Sequence, residues 1–196
     1  MYFIIETSET VRVPPESLGE EFEKVAKSVA IRNVEEKIGV LDRELVRDAN
    51  DRKYLNLMVL ESVLRGEGRI VHGDGGVYQV VDMKVLAFHP TMQEVIEGDI
   101  IDIKKFGAFV SIGPLEGLLH VSQVMDDRIE VDEESKRMIG KDSKKDLKAG
   151  DSIRARIVAL SLSDSNVEDS KIGLTMRQNF LGKLAWLKAD QTAEAK

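Results

Sequence analysis

The sequence contains no cysteine and only three histidines. The absence of cysteine excludes disulfide bonds and thiolate metal sites, and it suits a reducing compartment. Three scattered histidines make a metal site a poor expectation. We also find no carboxylate pair, catalytic triad or metal cluster at a usable spacing. The sequence therefore predicts a protein without a cofactor, a metal ion or an enzymatic activity of its own.

Long apolar runs and a recognisable targeting signal are also missing. Residues 1–6 contain no basic segment and only a very short apolar run, which does not fit a secretory signal peptide. No apolar stretch approaches the roughly 20 residues that a membrane-spanning helix needs. The sequence therefore predicts a cytoplasmic protein with no membrane partner.

An excess of positive charge is the third absence. The formal net charge is -7, and residues 1–97 carry -6 of it, whereas residues 98–180 carry -2 and the remainder is positive. Such a chain does not grip nucleic acid by its overall charge. We expect any RNA contact in the nearly neutral second half to be local and salt-sensitive, and the acidic first half to suit protein partners better.

Residues 1–92 are predicted to form a small α+β domain. Apolar and β-branched side chains over residues 2–13 indicate an interrupted strand. An amphipathic helix is predicted to follow, because apolar residues then recur at helical intervals. It is predicted to begin at a capping box formed by Ser17 and Glu20 and to end near Gly39.

The remainder of this domain is predicted to contain mostly strands. Residues 40–53 suit either a short helix or a loop, and residues 54–64 suit either a helix or a buried strand. We favour a strand for the second segment because the glycine clusters at 66–68 and 73–76 have the composition of hairpin turns. One long strand is then predicted over residues 77–88.

The second glycine cluster allows two other interpretations. The run Gly73-Asp74-Gly75-Gly76 has the composition of a phosphate loop, but it lacks the Gly-Lys-Ser/Thr ending and the helix that should follow. We therefore expect a turn, and no small-molecule ligand. His72 lies beside Asp74 without a nucleophile or a third partner nearby, so it is predicted to be a surface loop residue.

Two short strands with a Gly-Pro turn between them are predicted over residues 104–112 and 116–122. Phe106 and Phe109 are three residues apart, and a bulge or bend at Gly107 could bring both rings to one face. Flat rings beside cations are what a single-stranded nucleic acid binder needs. Each aromatic alone would suit an ordinary barrel residue, but the set favours RNA contact. The candidate RNA-binding residues are Lys104, Lys105, Phe106, Phe109, His120, Arg154 and Lys171.

These strands resemble the S1 RNA-binding domain. Phe-Gly-Ala-Phe-Val at 106–110 and Glu-Gly-Leu-Leu-His-Val-Ser at 116–122 are similar to motifs of that family, and the resemblance covers residues 93–178. It implies a five-stranded OB barrel there. The pattern of the remaining residues, 179–196, predicts a C-terminal helix and a polar tail. Between the third and fourth barrel strands, a charged insertion over residues 125–148 is expected to be a solvated loop with a short helix.

Alternation along the last two barrel strands predicts which side chains face the core. In the fourth strand these are Ile153, Ala155, Ile157 and Ala159. In the fifth strand Ile172, Leu174 and Met176 alternate with the outward residues Lys171, Thr175 and Arg177. After residue 178 a closing amphipathic helix is predicted, with apolar residues Phe180, Leu181, Leu184 and Leu187 and with Trp186.

The chain as a whole resembles the E-subunit family of archaeal RNA polymerase, the counterpart of the seventh subunit of eukaryotic RNA polymerase II. The motifs that carry this resemblance are Val13-Pro14-Pro15-Glu16, the run from Gly66 to Gly75, the run from His120 to Asp127, and Leu174-Thr175-Met176-Arg177-Gln178 through Lys183-Leu184. The resemblance implies a non-catalytic subunit of DNA-directed RNA polymerase that pairs with the F subunit to form the polymerase stalk.

The same resemblance implies a role for each half of the chain. The first domain, a truncated ribonucleoprotein-like α+β fold, would dock on the polymerase core, and the barrel would bind the emerging single-stranded transcript. The implied core-docking residues are Gly66, Gly68, Arg69, Ile70, His72, Gly73, Asp74 and Gly75. A freestanding S1-domain protein of translation or RNA decay is the alternative, because the same barrel serves there. That alternative leaves residues 1–92 unexplained.

Overall fold

The computed structural model describes residues 1–19, 21–41, 52–163 and 167–188, and the chain divides into two compact units, Met1–His89 and Pro90–Lys196. Within these ranges no helix has both the length and the apolar character needed to cross a membrane. Three sequence predictions lie outside the described residues: the role of Glu20 in a capping box, most of the charged segment 40–53, and the polar tail.

The first unit is an antiparallel sheet with one helix packed on it. In chain order its elements are β1 (Tyr2–Val13), α1 (Phe22–Val34), β2 (Ile38–Val40), β3 (Lys53–Ile70) and β4 (Val77–Phe88). The strands are arranged in the order β1-β4-β3-β2. Strands β3 and β4 form a long hairpin, and β1 pairs with the other edge of β4 along its full length.

The core of this unit lies between the helix and one face of the sheet. Period-2 alternation places Val11 and Val13 of β1 and Val81, Met83 and Val85 of β4 on that face, where all are buried. The helix meets them with a stripe of Ala26, Ala30 and Val34. Because alanine side chains are small, the helix axis can approach the sheet closely.

Several predictions for the first unit were wrong at element boundaries. Strand β1 is uninterrupted, and α1 begins at Phe22 with no side-chain hydrogen bond at its N-cap. Ser17 lies in a separate 3-10 turn, Pro15–Ser17. The helix ends at Val34, and Gly39 belongs to β2, where a Cβ atom would lie 2.2 Å from the Tyr54 ring. Gly39 therefore serves close packing against an aromatic ring rather than a helix end.

The preference for a strand over residues 54–64 was right, but the predicted turn at 66–68 does not exist. Strand β3 continues through these glycines to Ile70, and its pairing with β4 shifts register between Arg65 and Arg69. Gly66 adopts a positive φ of 62°, which suits glycine in such an irregularity. The chain reverses once, over residues 71–76, and the long strand predicted for 77–88 is confirmed as β4.

The second unit is built around a closed barrel. Its strands are β5 (Val95–Lys104), β6 (Gly107–Ser111), β7 (Glu116–His120), β8 (Ile129–Asp132), β9 (Arg137–Gly140), β10 (Asp146–Lys148), β11 (Ser152–Ser161), β12 (Lys171–Thr175) and β13 (Gly182–Lys183). Strands β5, β6, β7, β12 and β11 pair in that order, and β11 pairs again with β5 to close the ring. The prediction of an α+β domain followed by a five-stranded OB barrel is confirmed.

The insertion between β7 and β11 was predicted to be a loop with a short helix, and that prediction was wrong. Strands β8, β9 and β10 form a separate three-stranded antiparallel sheet. Met138 and Leu147 are completely buried in it, which explains how so charged a segment can be ordered. The predicted closing helix also begins later than expected, since residues 179–181 are not helical and the helix starts at residue 184.

Two side chains of the last barrel strands point opposite to the predicted direction. The pairing of β11 with β12 shifts between Ile157 and Ala159, which turns Ala159 outward and buries Leu160. Thr175 is buried although it was assigned to the outer face, and its hydroxyl donates to Gln123 Oε1 at 2.8 Å. Ile172, Leu174 and Met176 are buried as predicted.

One carboxylate ties the start of the insertion sheet to its second turn. Asp127 accepts hydrogen bonds from the Ser143 backbone N–H at 2.9 Å and hydroxyl at 2.7 Å, and from the backbone N–H groups of Arg128 and Asp142. Donors that favour the charged form lower the pKa of Asp127 from 3.8 to about 2. The turn is therefore held by an ionised carboxylate.

Replacing Asp127 with alanine should lower the stability of the chain at neutral pH. Because the folded pKa lies below the unfolded one, the stabilisation is complete above pH 4 and is lost as the pH falls through about 2. Denaturant unfolding between pH 7 and pH 3 should show the difference from the unaltered chain shrinking with acidity. Asp142→Ala removes the same charge from the same turn without these bonds, and a stability loss equal to that of Asp127→Ala would contradict the role.

Candidate nucleic-acid interface

Two phenylalanine rings meet on the outside of the barrel. Lys105 and Phe106 form the two-residue turn between β5 and β6, and Phe109 follows within β6. The ring centroids of Phe106 and Phe109 lie 6.0 Å apart with an interplanar angle of 88°. The rings thus share one face as predicted, but the tight turn brings them together, and not a bulge at Gly107.

Gly107 has a different role from the predicted one. It is the first residue of β6 and pairs with Lys104 on β5 and with His120 on β7. A Cβ atom at this position would lie 2.3 Å from the backbone oxygen of Leu119. The glycine therefore allows β6 and β7 to approach closely at this position.

Strand register arranges the outer side chains in two rows. One row runs from Lys104 past Gly107 to His120. The next row runs from Asp102 past Phe109 to Leu118, whereas the residues between the rows, such as Leu119, are buried inside the barrel. The rings, the imidazole and Lys104 thus lie on one outer surface, which we call the ring patch (Lys104, Lys105, Phe106, Phe109 and His120).

The imidazole of the ring patch is held by the turn that follows it. His120 Nδ1 accepts the Ser122 backbone N–H at 3.3 Å and lies 2.8 Å from the Ser122 hydroxyl oxygen. With Nδ1 engaged as an acceptor, Nε2 carries the proton in the neutral ring and is the nitrogen that can donate to a ligand. Arg177 lies at the same turn, because its guanidinium donates to the Ser122 carbonyl and to Asp126.

Each lysine of the ring patch is paired with a carboxylate. Lys104 Nζ lies 2.8 Å from Asp102, and Lys105 Nζ lies 3.5 Å from Glu133. Lys136, from the insertion, also reaches Asp102 at 2.8 Å. The two ammonium groups hold the pKa of Asp102 well below its usual range, and the same carboxylate raises the pKa of Lys104.

Sequence reasoning missed Asp102, Lys136 and Arg177 as neighbours of the patch. Asp102 could have been found, since it is two residues from Lys104 on one strand and therefore on the same face. Lys136 could not, because it lies about 30 positions away in an insertion that was expected to be a loop. Arg177 was placed outward on the fifth strand, but nothing in its spacing pointed to His120.

The other two predicted RNA contacts lie farther away. Arg154 donates from Nε and Nη2 to Glu97 at 3.0 and 2.8 Å. Glu97 lies seven residues before Lys104 on β5, so Arg154 is about 20 Å from Lys104 along the strand direction. Lys171 is exposed at the start of β12, two residues before the position that pairs with Leu118. It makes no ion pair with another residue of the described ranges.

The predicted docking residues cluster at the far end of the β3–β4 hairpin. Gly66, Gly68, Arg69 and Ile70 lie on the exposed end of β3, and His72, Gly73, Asp74 and Gly75 form the turn. His72 is exposed, as expected for a surface loop residue. In the described ranges no three histidine or acidic side chains are grouped so that they could hold a metal ion.

Asp74 fixes the shape of this hairpin tip. Its carboxylate accepts from Arg12 Nε at 2.8 Å and Nη2 at 2.5 Å, from the Tyr78 hydroxyl at 2.8 Å and from the Gly76 N–H at 3.0 Å. These donors hold the pKa of Asp74 well below its usual range. The bonds to Arg12 tie the turn to the end of β1.

Comparison with known proteins places the chain in a family. The family model of the S1 RNA binding domain matches residues 89–168. DNA-directed RNA polymerase subunit Rpo7 of Sulfolobus acidocaldarius is 32% identical over 190 residues, which is 97% of both chains. Rpo7 of Saccharolobus shibatae is 35% identical over 187 residues, which is 95% of this chain and 97% of that one.

Ribonuclease R sequences match a smaller share of the chain. Ribonuclease R of Vibrio cholerae is 28% identical over 100 residues, which is 50% of this chain and 12% of that enzyme. The Rpo7 relatives, in contrast, match through both structural units at nearly equal length. This chain therefore belongs to the Rpo7 family of DNA-directed RNA polymerase subunits and carries an S1 RNA-binding domain in its second half.

Proposed function

We propose that the chain is a non-catalytic stalk subunit that docks on the polymerase core and binds the emerging transcript. The observation that carries this proposal is the full-length similarity to Rpo7, since a freestanding S1 module of translation or RNA decay would account for the second unit alone. As part of a polymerase, the chain would work in the cytoplasm. Its contribution to transcription would be binding, because the polymerase core supplies the chemistry.

The ring patch suits the transcript-binding half of this proposal. An exposed phenyl ring, a second ring in edge contact with it and an imidazole whose Nε2 can donate offer stacking surfaces and one donor to single-stranded bases. Lys104 and Lys105 lie beside the rings and can reach phosphates. Because each is paired with a carboxylate, we expect modest, salt-sensitive affinity and expect the larger assembly to supply the rest.

The hairpin tip suits the docking half of the proposal. Asp74 holds the turn rigid, and Ile70 and Val71 present exposed apolar side chains next to glycines that expose backbone groups. A turn that is already held by hydrogen bonds loses little conformational entropy when it enters a larger body. Core docking would therefore centre on the apolar side chains at the end of β3.

The sheet of the first unit offers a surface for a second partner. On the face opposite α1, the side chains of Ile4, Met58, Leu60 and Val63 are about half exposed. Ile4 and Met58 flank Leu86 in one row of this face, and the Lys84–Glu61 ion pair lies between that row and Val63. Exposed apolar groups beside charged ones suit a protein partner. We propose that this face contributes to pairing with the small F subunit of the stalk.

Co-purification tests this function. The tagged chain, expressed in the cells from which the gene comes, should bring down a small partner and the large core subunits, identified by mass spectrometry. Treatment with ribonuclease should leave both in place, because protein contacts hold them. Recovery of ribosomal or RNA-decay proteins without the polymerase core would contradict the stalk assignment and favour the freestanding RNA-binding module.

A further inference from the structure

The insertion sheet contacts the turn that carries the first ring of the patch. Glu133 Oε1 accepts the backbone N–H of Lys105 at 3.1 Å, and its other oxygen lies 3.5 Å from the Lys105 ammonium group. Asp132 positions this segment, because its Oδ1 accepts the N–H groups of Glu134 and Ser135 at 3.1 and 3.2 Å. A carboxylate is thus held against one backbone donor and one cation immediately beside Phe106.

The Lys105 backbone N–H and ammonium group are the kinds of donor that bind phosphate oxygens in proteins. Backbone N–H groups in turns and lysine ammonium groups together bind phosphates, and a carboxylate presents similar anionic oxygens. Two further ammonium groups, those of Lys104 and Lys136, lie 2.8 Å from the neighbouring Asp102. The cluster therefore contains three lysines and two carboxylates, with one net positive charge.

We propose that the Lys105 backbone N–H and ammonium group form a phosphodiester-binding site, which Glu133 occupies in the free protein and which RNA takes over by displacing this carboxylate. The inference rests on the proposed binding of single-stranded RNA at the ring patch. Because Lys105 directly precedes Phe106, a phosphate at Lys105 lies next to a base stacked on the ring.

The burial of the two carboxylates indicates which of them is displaced. The Asp102 side chain is 23% exposed and is held by two lysines, so it remains as a fixed part of the surface. Glu133 is 40% exposed, and its partner Lys105 is 84% exposed. Ion pairs between exposed side chains contribute little free energy, so a phosphodiester can replace this one easily.

The test compares two single substitutions that change the net charge equally. Glu133→Gln removes the competing charge at the site. Glu130→Gln is the matched control, because Glu130 lies on β8 of the same sheet. Its ion-pair partner is Lys141, at 3.9 Å, and not a lysine of the ring patch. Fluorescence anisotropy with a labelled single-stranded RNA of about 12 nucleotides, within the site sizes of single OB folds, measures the affinity.

We expect Glu133→Gln to bind this RNA about 2- to 5-fold more tightly than the unaltered chain, which is the effect of removing one exposed ion pair. Glu130→Gln should give a smaller gain. Equal gains from the two variants would overturn the inference, because general charge would then explain both. Weaker binding by Glu133→Gln would also overturn it, since Glu133 would then support the turn that RNA needs.

A third variant separates this inference from the proposed function. If Phe109→Ala loses RNA affinity while the two glutamate variants behave alike, the ring patch binds RNA and the phosphate site is wrong. If Phe109→Ala leaves the RNA affinity unchanged but Glu133→Gln binds RNA more tightly than Glu130→Gln does, the phosphate site is supported and the stacking role is wrong. If the unaltered chain binds no RNA, both are wrong.

Discussion

Replacement of Phe109 by alanine is expected to weaken the binding of single-stranded RNA about 5- to 150-fold. The range corresponds to the ~1–3 kcal/mol that one stacked base loses with its ring, at tenfold per 1.4 kcal/mol. A loss near the upper end is reasonable because Phe109 also supports the Phe106 ring, whose centroid lies 6.0 Å away. Titration of the purified chain with labelled RNA, at a stated salt concentration, measures the change.

Phe180→Ala is the matched control for this experiment. Phe180 belongs to the same structural unit and is 75% exposed, so its removal deletes an apolar ring outside the ring patch. Its RNA affinity should equal that of the unaltered chain. Because Phe109 is half-buried, Phe106→Ala is a second variant with less risk to folding, and thermal unfolding verifies both. A folded Phe109→Ala chain with unchanged affinity would exclude the stacking role.

Side-chain alternation made the sheets of both units predictable. In β4, Val81, Met83 and Val85 are buried while Asp82 and Lys84 reach the other face, which is the pattern of a sheet packed on one side only. The S1 motifs predicted the barrel for the same reason, since each motif places a strand and its inward residues. Local patterns thus identified β6, β7, β11 and β12, whereas β5 followed only from the resemblance to the S1 family.

Interactions between distant residues account for what the sequence could not predict. The insertion forms a sheet because Met138 and Leu147 pack together and Asp127 caps the second turn from 16 residues away. Gly66 was interpreted as a turn because composition does not distinguish a turn from a bulge in a long strand. Glu133 reaches Lys105 across 28 residues, so no local pattern could assign it to the ring patch.

Replacement of Ile70 by aspartate is expected to weaken capture of the polymerase core at least about 30-fold. Ile70 is 73% exposed at the end of β3, so the isolated chain should fold normally with this change. In the proposed docked state the same side chain would be buried, and truncation of such a central apolar contact costs ~2 kcal/mol or more. A carboxylate in its place adds the penalty of burying an unpaired charge.

Val63→Asp provides the comparison within the same strand. Val63 is 58% exposed and carries a β-branched side chain like Ile70. Their partners on β4, Asp82 and Val77, are five residues apart, so the two side chains lie about 17 Å apart along the sheet. In a quantitative pull-down, recovery of the polymerase core should fall for Ile70→Asp and stay unchanged for Val63→Asp. If Val63→Asp loses only the small partner, the F subunit binds the face of the sheet opposite α1. Equal core recovery by the unaltered chain and by Ile70→Asp would show that the hairpin tip does not dock, and the polymerase contact would then have to lie elsewhere on the first unit.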